Sequence, residues 1–352
     1  MPIATRAFAA TAADQPLSPY SFERRDPGPD DVAIAIKYAG VCHSDLHVAK
    51  NDLGGARYPI VPGHEIAGVV TAVGANVTRF KEGDRVGVGC MVDSCRTCPS
   101  CIEGEEQYCV PGMTQTYGSP DPKGAAVGQT ITQGGYSDAI VVDQNYVLRI
   151  PDSLPLDAAA PLLCAGITTW SPLKEWKVGP GSTVAVVGLG GLGHMAVKFG
   201  VAFGAEVTVL STSPGKEEAA KALGAHHFVV TTDEAQVKAV QGSFDFILDT
   251  VSAPHDVNQY LGLLKTDGTH IIVGLPTEPI QLPAFAVVMG RKSVAGSSIG
   301  GIAETQEMLD FCAEHNIVSD IELINIQDIT TAYERMVKGD VRYRFVIDIA
   351  TI

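Results

Sequence analysis

The chain has 352 residues, 45% of them hydrophobic and 18% charged, with a formal net charge of −15. That length exceeds one ordinary hydrophobic core, so two domains are expected. The acidic balance argues against a nucleic-acid backbone or an anionic membrane surface as partner, and no run of about 18 apolar residues offers a membrane span.

The opening stretch, MPIATRAFAATAADQPL, lacks a basic start, an apolar core and a cleavage site, so a cytoplasmic location is expected. Residues 1–40 read as short β segments, and 31–40 (DVAIAIKYAG) alternates well after a turn at Pro27, Gly28 and Pro29. No helix of convincing length is expected before about residue 155. The first domain, 1–152, is therefore expected to be β-rich with many loops.

Eight cysteines in so long a chain point to metal binding or burial rather than to a disulfide framework. Cys42, in Cys42-His43-Ser44-Asp45, follows the strand-like run, and His64 follows in Gly63-His64-Glu65. A catalytic zinc needs three thiolate or imidazole ligands and one open position. Cys42 and His64 supply two, and Cys164 is a candidate for the third. A single Cys or His of this kind is more often a core residue.

Residues 90–109 carry a sharper signal: Cys95-x-x-Cys98-x-x-Cys101, then Cys109. Four thiolates at this spacing close a tetrahedral site without an open position, the pattern of structural zinc. An iron–sulfur cluster is the rival. Its bacterial run places the fourth cysteine after three residues and before a proline, whereas Val110 intervenes here before Pro111. Cys90 falls outside the spacing and is expected to be a small core residue.

Residues 110–135 read as a surface loop leading into a strand at 136–142, and the character of the chain changes across 151–161. Beyond it, strands are expected at 184–187, 206–210, 226–230, 244–250, 269–273 and 293–298. Helices are expected after the glycines at 188–193 and near 215–223, 255–264 and 303–314. Such alternation implies a doubly wound parallel sheet over 153–296, an α/β domain covered on both faces. The last stretch, 297–352, with a strand-like run at 343–347, is expected to complete the first domain.

Within the alternating region, Val184 to Val187 lead into Gly188-Leu189-Gly190-Gly191-Leu192-Gly193 and then a helical pattern. Gly188 permits the tight turn, Gly190 a close approach of a pyrophosphate, and Gly193 close helix packing. The helix N-terminus offers free N–H groups to the phosphates. An NAD-preferring fold carries an acid at the end of the next strand. Here Ser211-Thr212-Ser213-Pro214-Gly215-Lys216 stands there instead, hydroxyls and a lysine suited to the 2′-phosphate of NADP.

Taken together, these residues resemble the zinc-dependent medium-chain alcohol dehydrogenases, most closely their cinnamyl-alcohol-dehydrogenase-like branch. The resemblance rests on 40–45 (GVCHSD), 62–65 (PGHE), the four-cysteine lobe, 164–168 (CAGIT) and the glycine turn, and covers nearly the whole chain. It implies a GroES-like catalytic domain beside a Rossmann domain, NADP(H), and two zinc ions per chain. By it Cys42, His64 and Cys164 look like catalytic-zinc ligands, and Glu65 like the glutamate that approaches the resting metal. Asp45 looks like the carboxylate that orients His64. Ser44 and His47 resemble the two ends of a proton relay, and Thr168 a residue beside the nicotinamide.

The implied reaction is reversible reduction of aromatic and medium-chain aliphatic aldehydes to primary alcohols with NADPH, by a homodimer. A polyol or secondary-alcohol dehydrogenase and a non-catalytic NADP-binding sensor are the alternatives. The loop 110–130 lacks the tryptophan that plant cinnamyl enzymes place over an aromatic substrate. Met113 and Tyr117 stand nearby, and the pocket around Ile299 is only loosely matched.

Overall fold

In the computed structural model, which describes every residue except Leu53 and Thr277, DVAIAIKYAG forms strand Asp31–Gly40. Seven of its ten residues are buried, because it lies between partners rather than at a half-solvated edge. One side pairs with Ile66–Val73. The other is shared, 31–35 pairing with Ala139–Asp143 and 38–40 with Arg344–Asp348. Among the described residues the sheet has seven strands, extended by Ile321–Asn325 beyond Arg344–Asp348 and by Arg85–Val88 and Leu148–Arg149 beyond Ile66–Val73.

This sheet anchors the first of two compact units, Met1–Ile167 with Gly300–Ile352; the second is Thr168–Ile299. The unit boundary falls at 167/168 rather than 152/153, because the intervening segment packs on the first sheet. Helix Leu156–Ala159 lies against Asp31–Gly40 and Ile66–Val73. A Cβ on Gly87 would stand 2.7 Å from the Leu163 side chain.

The first unit also holds helices shorter than the sequence pattern resolves, notably His43–Ala49 and Pro99–Ile102. His43–Ala49 starts two residues past the central strand. Cys42 sits at its N-cap with extended backbone, and the Asp45 carboxylate accepts the Cys42 N–H at 2.9 Å. That bond satisfies a donor no helical carbonyl reaches.

In the second unit, strand Thr183–Val187 has both neighbours parallel, with Val187 level with Leu210 on one side and Asp249 on the other. The six strands run in the order His227–Val230, Glu206–Ser211, Thr183–Val187, Phe244–Asp249, Leu264–Ile272, Ser293–Gly296. By position in this unit that is 3-2-1-4-5-6, which reverses direction at Thr183–Val187 and opens a crevice beyond its carboxyl end. Val184, Ala185 and Val186 are fully buried, as a strand covered on both faces requires.

One layer of the core sets Ala185, Val187, Leu210 and Ile247 with Tyr260, Leu261 and Leu264. Elsewhere the Trp170 ring meets Phe199 and Phe203 edge-on at 5.4 and 4.9 Å. The helix expected over 255–264 shortens to Asn258–Leu261, because 250–257 is held as a loop by side-chain bonds described below.

Candidate metal centres and dinucleotide turn

Cys42 is carried by the strand end, His64 by the turn after Gly63, and Cys164 by the segment preceding helix Ala165–Glu175. The fold brings them together. One donor atom each from Cys42, His64, Glu65 and Cys164 lies within 4.8 Å of every other, and all four residues are buried. His64 Nε2 stands 3.2 Å from the Cys164 sulfur, and the Cys42 and Cys164 sulfurs are 4.0 Å apart.

Asp45, fully buried, organises this cluster. Its Oδ1 accepts the Gly63 N–H at 3.0 Å and lies 3.0 Å from His64 Nδ1; Oδ2 accepts Cys42 N–H and, at 3.1 Å, the Tyr136 hydroxyl. With a proton held on Nδ1, His64 turns the lone pair of Nε2 toward the sulfurs.

Electrostatics agree with a cation-binding role. The Cys42 thiol is driven well below its usual value by the bond from Cys164, with help from Arg344 and His64. The same shared proton, and burial, push the Cys164 thiol well up. Glu65 pairs through Oε1 with the buried Arg344, while its Oε2 is buried without a hydrogen-bond partner among the described residues. Two sulfurs, an imidazole nitrogen and a carboxylate oxygen gathered out of water fit a dication. Two sulfurs and one nitrogen with a position left open fit zinc.

Beside the cluster, Ser44 Oγ stands 3.7 Å from the Cys42 sulfur. His47 pairs through Nδ1 with Asp52 at 2.9 Å. Asp52, Tyr136 and Arg344 escape a reading of motifs, since each reaches the cluster from outside them; for Arg344 the partner lies 279 positions away. The Tyr117 ring, in the loop noted for its missing tryptophan, lies tilted at 5.7 Å from the His64 ring.

The second cluster gathers Cys95, Cys98, Cys101 and Cys109, again with all donor atoms within 4.8 Å. Backbone N–H groups point at three of the sulfurs: Cys95 at Cys109, Cys98 at Cys95 and Val110 at Cys98, over 3.3–3.4 Å. Such bonds favour thiolates. They bring the Cys95 thiol down to about 6, through the N–H groups of Thr97 and Cys98, whereas burial carries Cys109 up to about 12. Ser94 Oγ reaches the Cys101 sulfur at 3.1 Å and the Tyr146 hydroxyl at 2.6 Å. Four sulfurs without a water position fit a closed structural zinc. Cys90 lies apart from this set, beside the Leu163 carbonyl at 3.9 Å.

At the crevice of the second unit, Gly188 takes φ +86°, a conformation costly to residues with a side chain, and turns the chain off the strand. A Cβ on Gly193 would stand 2.1 Å from the Gly188 carbonyl oxygen, so this glycine lets helix Gly193–Ala202 start against the turn itself. A Cβ on Gly190 would meet nothing within 4 Å, so the exposed backbone there is open to a close approach, while Leu189 beside it is buried.

Strand Glu206–Ser211 ends on the buried Ser211, whose Oγ accepts the Ser213 N–H at 3.2 Å. Lys216 donates to the Leu189 carbonyl at 3.2 Å, tying the hydroxyl loop to the glycine turn. Partial burial lowers its pKa. Thr212 and Ser213 are exposed, Thr168 is buried, and the nearest carboxylates in sequence, Glu217 and Glu218, belong to the next helix.

Comparison with known proteins places these features. Residues 28–152 match the alcohol dehydrogenase GroES-like domain, and 191–314 the zinc-binding dehydrogenase family. The chain is 59% identical to NADP-dependent alcohol dehydrogenase C of Mycobacterium tuberculosis, over 98% of this chain and 99% of that one. It superposes on a cinnamyl alcohol dehydrogenase of Sorghum bicolor with a TM-score of 0.95 and 53% identity, covering 99% and 98% of the two chains. The CAD of Helicobacter pylori, solved with NADP(H), gives 0.93 and 44%, covering 99% of each.

Proposed function

From membership of the zinc-binding, GroES-like alcohol dehydrogenase family, in its cinnamyl-alcohol-dehydrogenase-like branch, we propose that this chain reduces aromatic and medium-chain aliphatic aldehydes to primary alcohols with NADPH. It is an NADP-dependent alcohol and aldehyde oxidoreductase; the aldehyde class and the reducing direction are our reading. The observation that carries the chemistry is the buried set Cys42, His64 and Cys164, whose three ligand atoms lie within 4.8 Å of one another beside Glu65; a catalytic zinc takes three such ligands and keeps one position for substrate. When bound, zinc supplies a Lewis acid at a carbonyl oxygen, and NADPH supplies the hydride.

The protein's own residues do the rest. Asp45 holds the proton on His64 Nδ1, and the Tyr136 hydroxyl helps fix Asp45 in place. Arg344 holds one oxygen of Glu65, and a carboxylate oxygen of Glu65 lies within 4.8 Å of the ligand set. Ser44 Oγ delivers a proton to the product oxygen and regains one through His47, whose partly buried ring Asp52 orients. A relay of this type contributes about 10²–10⁴-fold. Reversal of each transfer gives alcohol oxidation.

The dinucleotide is assigned to residues 188–193 with Thr168, and its 2′-phosphate to Ser211, Thr212, Ser213 and Lys216. Ser211→Asp would set a carboxylate against that phosphate. NADPH affinity is expected to fall at least about tenfold while NADH affinity holds or rises, since like charges in contact cost several kcal/mol. Fluorescence titration with both cofactors measures this, and an unchanged NADPH/NADH ratio removes the phosphate site.

A second zinc is assigned to Cys95, Cys98, Cys101 and Cys109. No helix among the described residues is long and apolar enough to cross a membrane, which is compatible with a cytoplasmic home. A homodimer is supported by the strand Ser293–Gly296, which ends the sheet among the described residues, and by the exposed Leu275, Phe285, Val288 and Met289. A free sheet edge and exposed apolar side chains are features that a second copy can cover. Sedimentation is expected to give twice the 37.0 kDa chain mass, and Phe285→Asp with Val288→Asp to give monomers.

A further inference from the structure

Strand Phe244–Asp249 ends on a buried acid–base trio that the reaction above does not use. Asp249, 1% exposed, lies level with Val187, the residue before the glycine turn. Its Oδ1 accepts the Val251 N–H at 3.1 Å. Its Oδ2 faces two imidazoles, Nε2 of His255 at 2.7 Å and Nε2 of His270 at 3.1 Å. His255 Nδ1 stands 2.8 Å from the Ala253 carbonyl oxygen.

A carbonyl and a carboxylate only accept hydrogen bonds. His255 satisfies both neighbours only when both ring nitrogens carry protons, as the imidazolium. His270 differs: it is fully buried, and its Nδ1 has no partner among the described residues, so it has an acceptor for only one proton. Around His255 stand Asp249, His270, Asp256 and the ring of Tyr260 at 5.8 Å. Burial opposes charge on His255, but the bonds to Ala253 and Asp249 win and raise its pKa. Burial likewise opposes charge on Asp249, and the two histidines bring it below the usual carboxylate range.

The loop closed by this trio walls the glycine turn. Thr250 Oγ donates to the Val187 carbonyl at 2.7 Å, and a Cβ on Gly188 would lie 2.8 Å from the Val251 side chain. Gly274 packs on the Val251 backbone, where a Cβ would stand 2.3 Å from its carbonyl oxygen.

We propose that protonated His255 is a positioning residue for the dinucleotide: bridging Ala253 and Asp249, it clasps residues 250–256 against Gly188, and NADPH affinity falls when it loses a proton. The inference rests on the assignment of the dinucleotide to that turn. Neutral His255 must present a lone pair to the Ala253 carbonyl or to Asp249, and either contact is repulsive. Because the folded-state pKa is raised, the clasp is complete below about 6.5, the ordinary histidine value, and opens as pH rises through the folded value.

The test compares the wild type with His255→Gln, both zinc-loaded and full length. NADPH affinity is titrated from about pH 6 to about pH 9, and amide exchange is followed in the cofactor-free proteins. The wild type is expected to lose about tenfold more affinity than the variant over that range, since the part due to Lys216 is common to both. Exchange at 250–256, corrected for its intrinsic pH dependence, is expected to rise with pH in the wild type and to be high throughout in the variant. Parallel affinity profiles, or equal protection of the loop in the two proteins, overturn the proposal. Failure of both proteins to bind NADPH at any pH counts against the turn assignment, and the exchange result then decides the clasp by itself.

Discussion

Replacing Cys164 with serine is expected to abolish aldehyde-dependent NADPH oxidation and to remove one zinc per chain. A neutral hydroxyl is a poor substitute for a thiolate, and the neighbouring Cys42 sulfur and His64 nitrogen cannot hold zinc strongly alone. Loss of the Lewis acid forfeits several kcal/mol of charge stabilisation. At about 1.4 kcal/mol per tenfold in rate, turnover falls by about a thousandfold or more. The fold should survive, because sulfur and oxygen differ little in shape and the pocket walls are set by the sheet and by Asp45. Far-UV circular dichroism and NADPH affinity are therefore expected to stay near wild type. Near-normal turnover with full metal content would remove Cys164 from the ligand set.

The second large effect is structural. Cys101→Ser is expected to lower the apparent melting temperature by about 5–10 °C, and to expose the lobe around residues 95–110 to proteolysis. Metal binding in a small closed site is folding free energy, about 10–16 kcal/mol in zinc-finger peptides. Here that energy orders a lobe with little core of its own, since the helix Pro99–Ile102 contains no buried residue. The lobe is also tied to its own unit. Glu106 accepts the Ile302 N–H at 3.0 Å at the start of helix Ile302–His315, and a Cβ on Gly301 would stand 1.8 Å from the Gly104 carbonyl oxygen. Loosening the lobe uncaps that helix. Molecules that remain folded should keep the Cys42 centre and its activity per bound zinc. A variant with unaltered melting temperature and metal content would contradict the structural-zinc assignment.

What was legible in the sequence follows from range. The parallel sheet was readable because each buried strand is a short apolar run followed by a helix, and such patterns are local. The lobe was readable because its four sulfurs fall within fifteen consecutive positions, 95–109. Cys42, His64 and Cys164 are far apart in sequence, and the family pattern, not periodicity, joined them. The helix His43–Ala49 is too short for a helical period to show: only Leu46 and Ala49 of its apolar residues are buried, and it stands on the Asp45 cap. Residues whose roles depend on distant partners left no local sign. Arg344 meets Glu65, Tyr136 meets Asp45, and His270 meets Asp249 across separations of 279, 91 and 21 positions.

The proposed function makes this chain an aldehyde reductase working through a zinc held by Cys42, His64 and Cys164. Metal analysis of the purified protein, run beside NADPH oxidation with benzaldehyde, cinnamaldehyde and butanal, tests it most directly. The expected result is about two zinc per chain and aldehyde-dependent oxidation that a chelator abolishes and added zinc restores. About one zinc per chain with no turnover on any of the three aldehydes would leave the four-cysteine lobe standing and contradict the catalytic reading.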